Sequence, residues 1–183
     1  KQLFLSFDEW NVWYRARGGD AADGHGKPAP HLLEEPYNLE DGLLVGGLIN
    51  SLVRHSDRVK LACLAQLVNV IAPIMTNKDG LFRHSIYYPY AWALKYARGA
   101  ALSVEPQGPG YRVDKLGTPI ENGGLPIPGF GEVAYVDMSV TLDASKKTAT
   151  VMMLNRDIEK PQDVELVWHD LTPSAVTNFE TLT

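Results

Sequence analysis

The hydrophobic pattern changes abruptly within the opening stretch of the chain. Leu3, Phe4, Leu5 and Phe7 form a short apolar run, which breaks into Asp8-Glu9-Trp10-Asn11 and two more aromatics, Trp13 and Tyr14. An apolar run of this kind predicts a strand buried on both faces, and the break predicts its end. Carboxylates and ring faces therefore meet where a strand stops. In α/β barrels the loops that follow the C-terminal ends of parallel strands build the site. Ring faces beside an acid also suit a sugar, which offers CH faces for stacking and hydroxyls for hydrogen bonds. On this pattern Glu9 is the candidate acid.

Arg15–Pro36 is rich in Gly, Ala, Asp and Pro and reads as a long loop on the same end as Glu9. Its Asp20, Asp23, His25 and His31 match no ligand spacing, so they are expected to be solvated rather than to hold a metal. Asn38 then reads as an N-cap, followed by Glu40 and Asp41 in the first turn of a helix that runs to about His55. Leu44, Leu48 and Leu52 recur every four residues, Val45, Ile49 and Val53 widen the stripe, and Gly42, Gly46 and Gly47 allow close approach to a sheet. Arg58–Val68 predicts a second buried strand, apolar until Gln66 and Asn69. Strand, helix, strand in this order predicts a right-handed parallel unit. Glu9 and Gln66 would then point to one mouth, although Gln66 and Asn69 could equally serve turn backbone.

Val70–Arg83 reads as a connection with a turn at Asn77-Lys78-Asp79-Gly80, and a second helix is expected over Tyr88–Arg98, with Pro89 in its first turn and Gly99 as its C-cap. Tyr87, Tyr88, Tyr90, Trp92 and Tyr96 are expected to pack at a domain junction. From Ala100 the period changes to short alternating runs at Ala101–Glu105, Tyr111–Lys115, Val133–Leu142, Thr148–Asn155 and Val164–Trp168. That is the pattern of an antiparallel β-sandwich without helices, with Gly117–Gly131 as a loop. The expected boundary near Arg98–Ala100 divides the chain into residues 1–98 and 99–183.

Composition narrows the function classes. The 183 residues are 45% hydrophobic, enough for a sizeable core, and a net charge of −5 offers no basic surface for a nucleic acid. The longest apolar stretch, Val59–Ile74, is broken by Lys60, Gln66, Asn69 and Pro73 and does not read as a membrane span. A single cysteine, Cys63, excludes an internal disulfide and suits a reducing compartment. The chain starts at Lys1, without Met and already inside an apparent strand, so its natural N-terminus is expected upstream.

Ser6–Tyr14, Leu32–Asp41 and Leu61–Ile74 together resemble the family 51 glycoside hydrolases, the intracellular-type α-L-arabinofuranosidases. The resemblance implies a fold made of the last two β/α units of a (β/α)8 TIM barrel, strands 7 and 8 with their helices, followed by an incomplete antiparallel β-sandwich. It also implies that Glu9 is the catalytic nucleophile, that Trp13 helps form the substrate subsite, and that Gln66 hydrogen-bonds the bound arabinofuranose. Asn11 is carried as a further substrate contact. Asp8 is expected to face away from Glu9, because neighbouring strand residues alternate.

The implied reaction is retaining hydrolysis that releases terminal α-L-arabinofuranosyl residues from arabinan- or arabinoxylan-type glycans. Such a reaction needs two carboxyl groups about 5–5.5 Å apart. The family's acid/base glutamate sits in a Gly-Asn-Glu block on an earlier strand, and Asn-Glu does not occur in this chain. Lys1–Thr183 is therefore expected to be a fragment, inactive alone. Alternatives are an endo-β-glycanase of the same family, or a non-catalytic sugar-binding or assembly module if the chain is complete. No metal or cofactor is implied, partners are expected to be arabinofuranoside glycans and further copies of the protein, and the expected location is cytoplasmic.

Overall fold

The computed structural model describes residues 2–14, 28, 35–116, 127–170 and 172–183. It opens with a parallel pair of strands, β1 (Leu5–Trp10) and β2 (Val59–Leu64), joined by helix α1 (Leu39–Arg54). The parallel ladder runs from Leu5 opposite Val59 to Trp10 opposite Leu64. Parallel strands cannot be joined by a tight turn, so a helical crossover is the expected link.

Helix α1 begins as its sequence dictates. The Asn38 side chain accepts from the Asp41 N–H at 3.2 Å while the Asp41 carboxylate accepts from the Asn38 N–H at 2.8 Å, a reciprocal capping box. Its apolar stripe is centred one residue from the leucine row. Val45 and Ile49 are buried, whereas Leu44 is 51% exposed. One residue is a rotation of about 100° on a helix, enough to move a side chain off the buried face. Val45 and Ile49 join Trp10, Val12, Tyr37 and Ile86 in the core, each worth about 1.5–3 kcal/mol of apolar burial.

Neither parallel strand is buried on both faces, contrary to expectation. In β1 only Trp10 is buried, and Leu5, Phe7 and Leu61 are about half exposed. The helices cover Trp10, Ala62 and Leu64, and their cover does not extend to Leu5, Phe7 or Leu61. Strand β2 also stops at Leu64 rather than Val68. Asn69 and Ile71 both adopt positive φ (68° and 41°), which turns the chain out of the ladder.

The connection after β2 contains a hairpin that the pattern did not reveal, β3 (Ile74–Asn77) and β4 (Gly80–Arg83). The expected turn is present: the Asn77 side chain accepts from the Asp79 and Gly80 N–H groups at 2.8 and 3.0 Å. Its strands are short and largely exposed, so they carry no burial period. Helix α2 (Tyr87–Tyr96) follows, capped at Ala97 rather than at Gly99. Gly99 instead has φ +85°, and a Cβ there would lie 2.0 Å from the Leu142 carbonyl oxygen. Only glycine fits that approach.

The remaining strands are antiparallel. β5 (Ala100–Leu102), β8 (Val136–Asp143) and β9 (Thr148–Asn155) form one sheet in the order β5-β8-β9, and β6 (Gly110–Leu116) pairs with β7 (Ile127–Ala134). The run predicted as one strand over Val133–Leu142 breaks at Tyr135, whose N–H donates to Pro109 O and whose carbonyl accepts from Arg156 N–H. Val164–Trp168 is not a strand. Val164 and Leu166 are 38% exposed and Val167 71%, so the run has no sheet on which to bury a face.

Helix α1 packs on both parts. Ideal Cβ atoms on Gly46 and Gly47 would lie 3.5 and 3.6 Å from Leu154 of β9, so the glycines bring the helix to the antiparallel sheet. Between them lies a buried polar cluster. Asp137 accepts from Arg54 at 2.8 Å, from Asn50 at 3.2 Å and pairs with Arg156 at 3.3 Å, while the Ser139 hydroxyl donates to the Asn50 side chain at 2.7 Å. Breaking such a cluster leaves a buried charge unpaired.

Candidate active site

The end of β1 places its side chains unequally. Trp10 is buried against the helices, its ring edge-on to Tyr90 at 6.2 Å, whereas Glu9 is exposed. The ladder goes from Phe7 opposite Ala62 to Trp10 opposite Leu64, three steps on β1 against two on β2. The extra residue falls at Asp8-Glu9, a bulge of the kind that re-aims a side chain. The bulge interrupts the strict alternation behind the expected opposition of Asp8 and Glu9, and both carboxylates are exposed.

Glu9 and Gln66 flank one hydrogen bond. The Ala65 N–H donates to the Trp10 carbonyl at 2.9 Å, continuing the parallel ladder just beyond β2. Glu9 precedes the acceptor and Gln66 follows the donor. Gln66 is exposed, two residues past the strand, and Trp13 is 65% exposed. Both are available at the end of the parallel pair where β1 and β2 run out.

The Asn11 side chain is engaged with backbone on all sides. Its amide donates to the Ala65 carbonyl at 2.6 Å and to the Ile71 carbonyl, while its oxygen accepts from the Val12 N–H at 2.8 Å. Both amide hydrogens hold the loop that carries Gln66 against the end of the strand that carries Glu9. The Asn69 side chain extends this bracing, accepting from the Thr76 N–H at 2.7 Å and tying the hairpin to the same loop.

A second set of contacts, between residues far apart in sequence, fixes the segment after β1. The Tyr37 hydroxyl donates to Val12 O at 2.8 Å, and the Tyr14 hydroxyl donates to Asp41. The Tyr37 N–H donates to His84 Nδ1 at 3.3 Å, and the His84 N–H donates to Pro73 O at 2.9 Å. Burial, with the Asp41 charge beside it, holds the Tyr37 phenol well above its ordinary pKa, so it stays a proton donor. Burial pushes the His84 imidazole below its usual value, against the opposing pull of Asp41. With Nδ1 accepting, the neutral ring carries its hydrogen on Nε2, and that atom has no partner among the described residues.

An open apolar groove of about 370 Å³ lies between the parallel pair and the two helices, lined by Trp10, Ile49, Val53, Ala62, Tyr90 and Ala93 among others. Glu9, Trp13 and Gln66 do not line it. Among the described residues no three His, Cys, Asp or Glu side chains cluster as metal ligands. Asp20, Asp23, His25 and His31 lie outside the described residues. No described helix is long and apolar enough to cross a membrane.

A strand-end carboxylate, Glu9, an exposed tryptophan, Trp13, and a loop amide, Gln66, thus lie in the segments that follow the parallel pair. The chain belongs to the α-L-arabinofuranosidase C-terminal domain family, whose model matches residues 8–183. It is 41% identical over 157 residues to the intracellular exo-α-(1→5)-L-arabinofuranosidase of Halalkalibacterium halodurans, and 42% identical over 157 residues to that of Bacillus subtilis. Each alignment takes in 85% of this chain and 29% of the relative, so the chain spans less than a third of their length. Among solved structures, it is similar to a family 51 α-L-arabinofuranosidase from Bifidobacterium longum, with TM-score 0.68, 38% identity and coverage of 87% of this chain and 29% of that one. It is also similar to the Thermotoga maritima α-L-arabinofuranosidase arabinose complex, with TM-score 0.65, 27% identity and coverage of 83% and 28%.

Proposed function

We propose that this chain is the nucleophile-bearing part of a retaining exo-α-L-arabinofuranosidase. In this reading residues 1–98 are the last two β/α units of a (β/α)8 barrel and residues 99–183 an antiparallel sandwich packed on it. The observation that carries the reading is the juxtaposition of Glu9 and Gln66 across the Trp10–Ala65 hydrogen bond at the end of a parallel pair. Exposed Leu5, Phe7 and Leu61 support it further, since apolar side chains on both faces of the pair suit cover by other barrel elements.

The Glu9 carboxylate attacks the anomeric carbon of a terminal arabinofuranosyl group, forming a glycosyl ester as the bond to the leaving oxygen breaks. An acid from outside this chain protonates that oxygen, then acts as base toward the water that cleaves the ester. Trp13 offers a ring face to the sugar, and the Gln66 amide meets its hydroxyls. The substrates are arabinofuranosyl side chains of arabinan- and arabinoxylan-type glycans, and the enzyme works in the cytoplasm.

The test is Glu9→Ala in the whole enzyme that carries this chain. Turnover of an aryl arabinofuranoside is lost, and added azide restores it, giving a glycosyl azide of inverted configuration. An unchanged rate in the variant contradicts the assignment.

A further inference from the structure

Phe82, on β4 of the unexpected hairpin, is 62% exposed. Its ring is nevertheless held, edge-on to His84 at 5.1 Å and 84°. His84 is itself buried, edge-on to Tyr37 at 5.4 Å, and bonded through Nδ1 to the Tyr37 N–H. Tyr37 in turn donates to the carbonyl of Val12, the residue before exposed Trp13. Exposed Phe82 therefore stands on the buried Tyr37–His84 pair, which also holds the backbone just before exposed Trp13. The hairpin belongs to the loop that follows β2 and is tied by Asn69 to the turn just after Gln66. In a barrel, that is a loop of the active-site end.

We infer that Phe82 is a specificity residue, a stacking platform for the sugar on the leaving side of the cleaved bond. This rests on the glycosidase reading above. The ring has an anchored edge and free surface, and fixing it in advance lowers the entropy cost of binding. An apolar ring suits the CH face of a glycan unit, while Gln66 and Glu9 serve the unit being released. Leu81 is the internal control: it is 64% exposed on the same strand, and alternation places it on the opposite face from Phe82.

The experiment compares two substrates in the whole enzyme, methyl α-L-arabinofuranoside, which has no leaving-side sugar, and an arabinofuranosyl trisaccharide, which does. Phe82→Ala is expected to lower kcat/KM on the trisaccharide about tenfold, mainly through KM, with the methyl glycoside changed less than about twofold. Phe82→Trp restores the trisaccharide rate, and Leu81→Ala changes neither substrate. Equal losses on both substrates, no loss on either, or the same selective loss in Leu81→Ala would overturn the proposal. A wild-type enzyme that cleaves no arabinofuranoside at all would overturn the parent reading, a result distinguishable from these.

Discussion

The Asn11 side chain donates to the Ala65 carbonyl at 2.6 Å, linking the end of the strand that carries Glu9 to the loop that carries Gln66. Asn11 is thereby a brace between the segments that carry the two proposed site residues. Asn11→Asp keeps the shape but loses both donors and adds a charge facing two carbonyl groups. We expect kcat/KM to fall by about tenfold to a hundredfold, since small displacements of reacting groups carry penalties of that size. Wild-type kinetics in this variant would mean that the loop is held by other contacts.

Asp137 joins Arg54 and Asn50 of α1 to Arg156 beyond β9, with its side chain only 7% exposed. Removing the carboxylate takes the counter-charge from two partly exposed guanidinium groups, which keep the Met138 and Ala134 carbonyls, and a partner from the buried Asn50 amide. Asp137→Ala should cost about 1–3 kcal/mol, read as a shift of the denaturant midpoint. Replacing exposed Asp79, which meets Lys78 at 3.9 Å on the surface, should be nearly neutral.

His84 sets a pH dependence whose sign follows from its burial. Its folded pKa lies below the ordinary value, so between the two the unfolded chain binds the extra proton. Its contribution is full above the ordinary histidine pKa of about 6.5 and declines as pH falls toward the folded value. The charged and titratable groups around it are Asp41, Tyr37 and Tyr14, and Asp41 partly offsets the effect. The thermal midpoint should drop on going from about pH 7 to about pH 5, and His84→Gln should flatten that drop. A variant with an unchanged slope would assign the acid sensitivity to other groups.

Gly99 meets the Leu142 carbonyl at a positive φ, so Gly99→Ala combines a backbone penalty with a clash. A loss of more than about 1 kcal/mol is expected, measured by chemical denaturation. Gly80, whose added Cβ would meet nothing within 4 Å, is the tolerant counterpart.

What could be read from the sequence was what local chemistry decides. Asn38 caps its own helix through a residue three positions away, and the Asn77–Gly80 turn is closed by Asn77 itself. The β8–β9 hairpin was legible from its alternation, with Val136 opposite Asn155 through to Asp143 opposite Thr148. Contacts between distant residues were not legible. Tyr37 and His84 are 47 positions apart, and Asn50 and Ser139 are 89 apart. The one available signal was Asp137, Ser139 and Thr141, polar residues at period two within an apolar strand and all buried. The hairpin of Phe82 escaped because exposed four-residue strands leave no period to detect. In the candidate site, Glu9, Trp13 and Gln66 stand out in the sequence by residue type and place, but the brace formed by Asn11 depends on the Ile71 and Ala65 carbonyls, which no side-chain pattern reports.

Trapping the covalent intermediate tests the central claim most directly. The whole enzyme, inactivated with a 2-deoxy-2-fluoro-α-L-arabinofuranosyl donor bearing a good leaving group, is digested and its peptides are mapped by mass spectrometry. The account predicts one glycosyl adduct, in the peptide spanning Leu5–Tyr14 and on the Glu9 carboxylate. An adduct on Asp8 or on any residue outside this segment would contradict it, as would inactivation that leaves no covalent label.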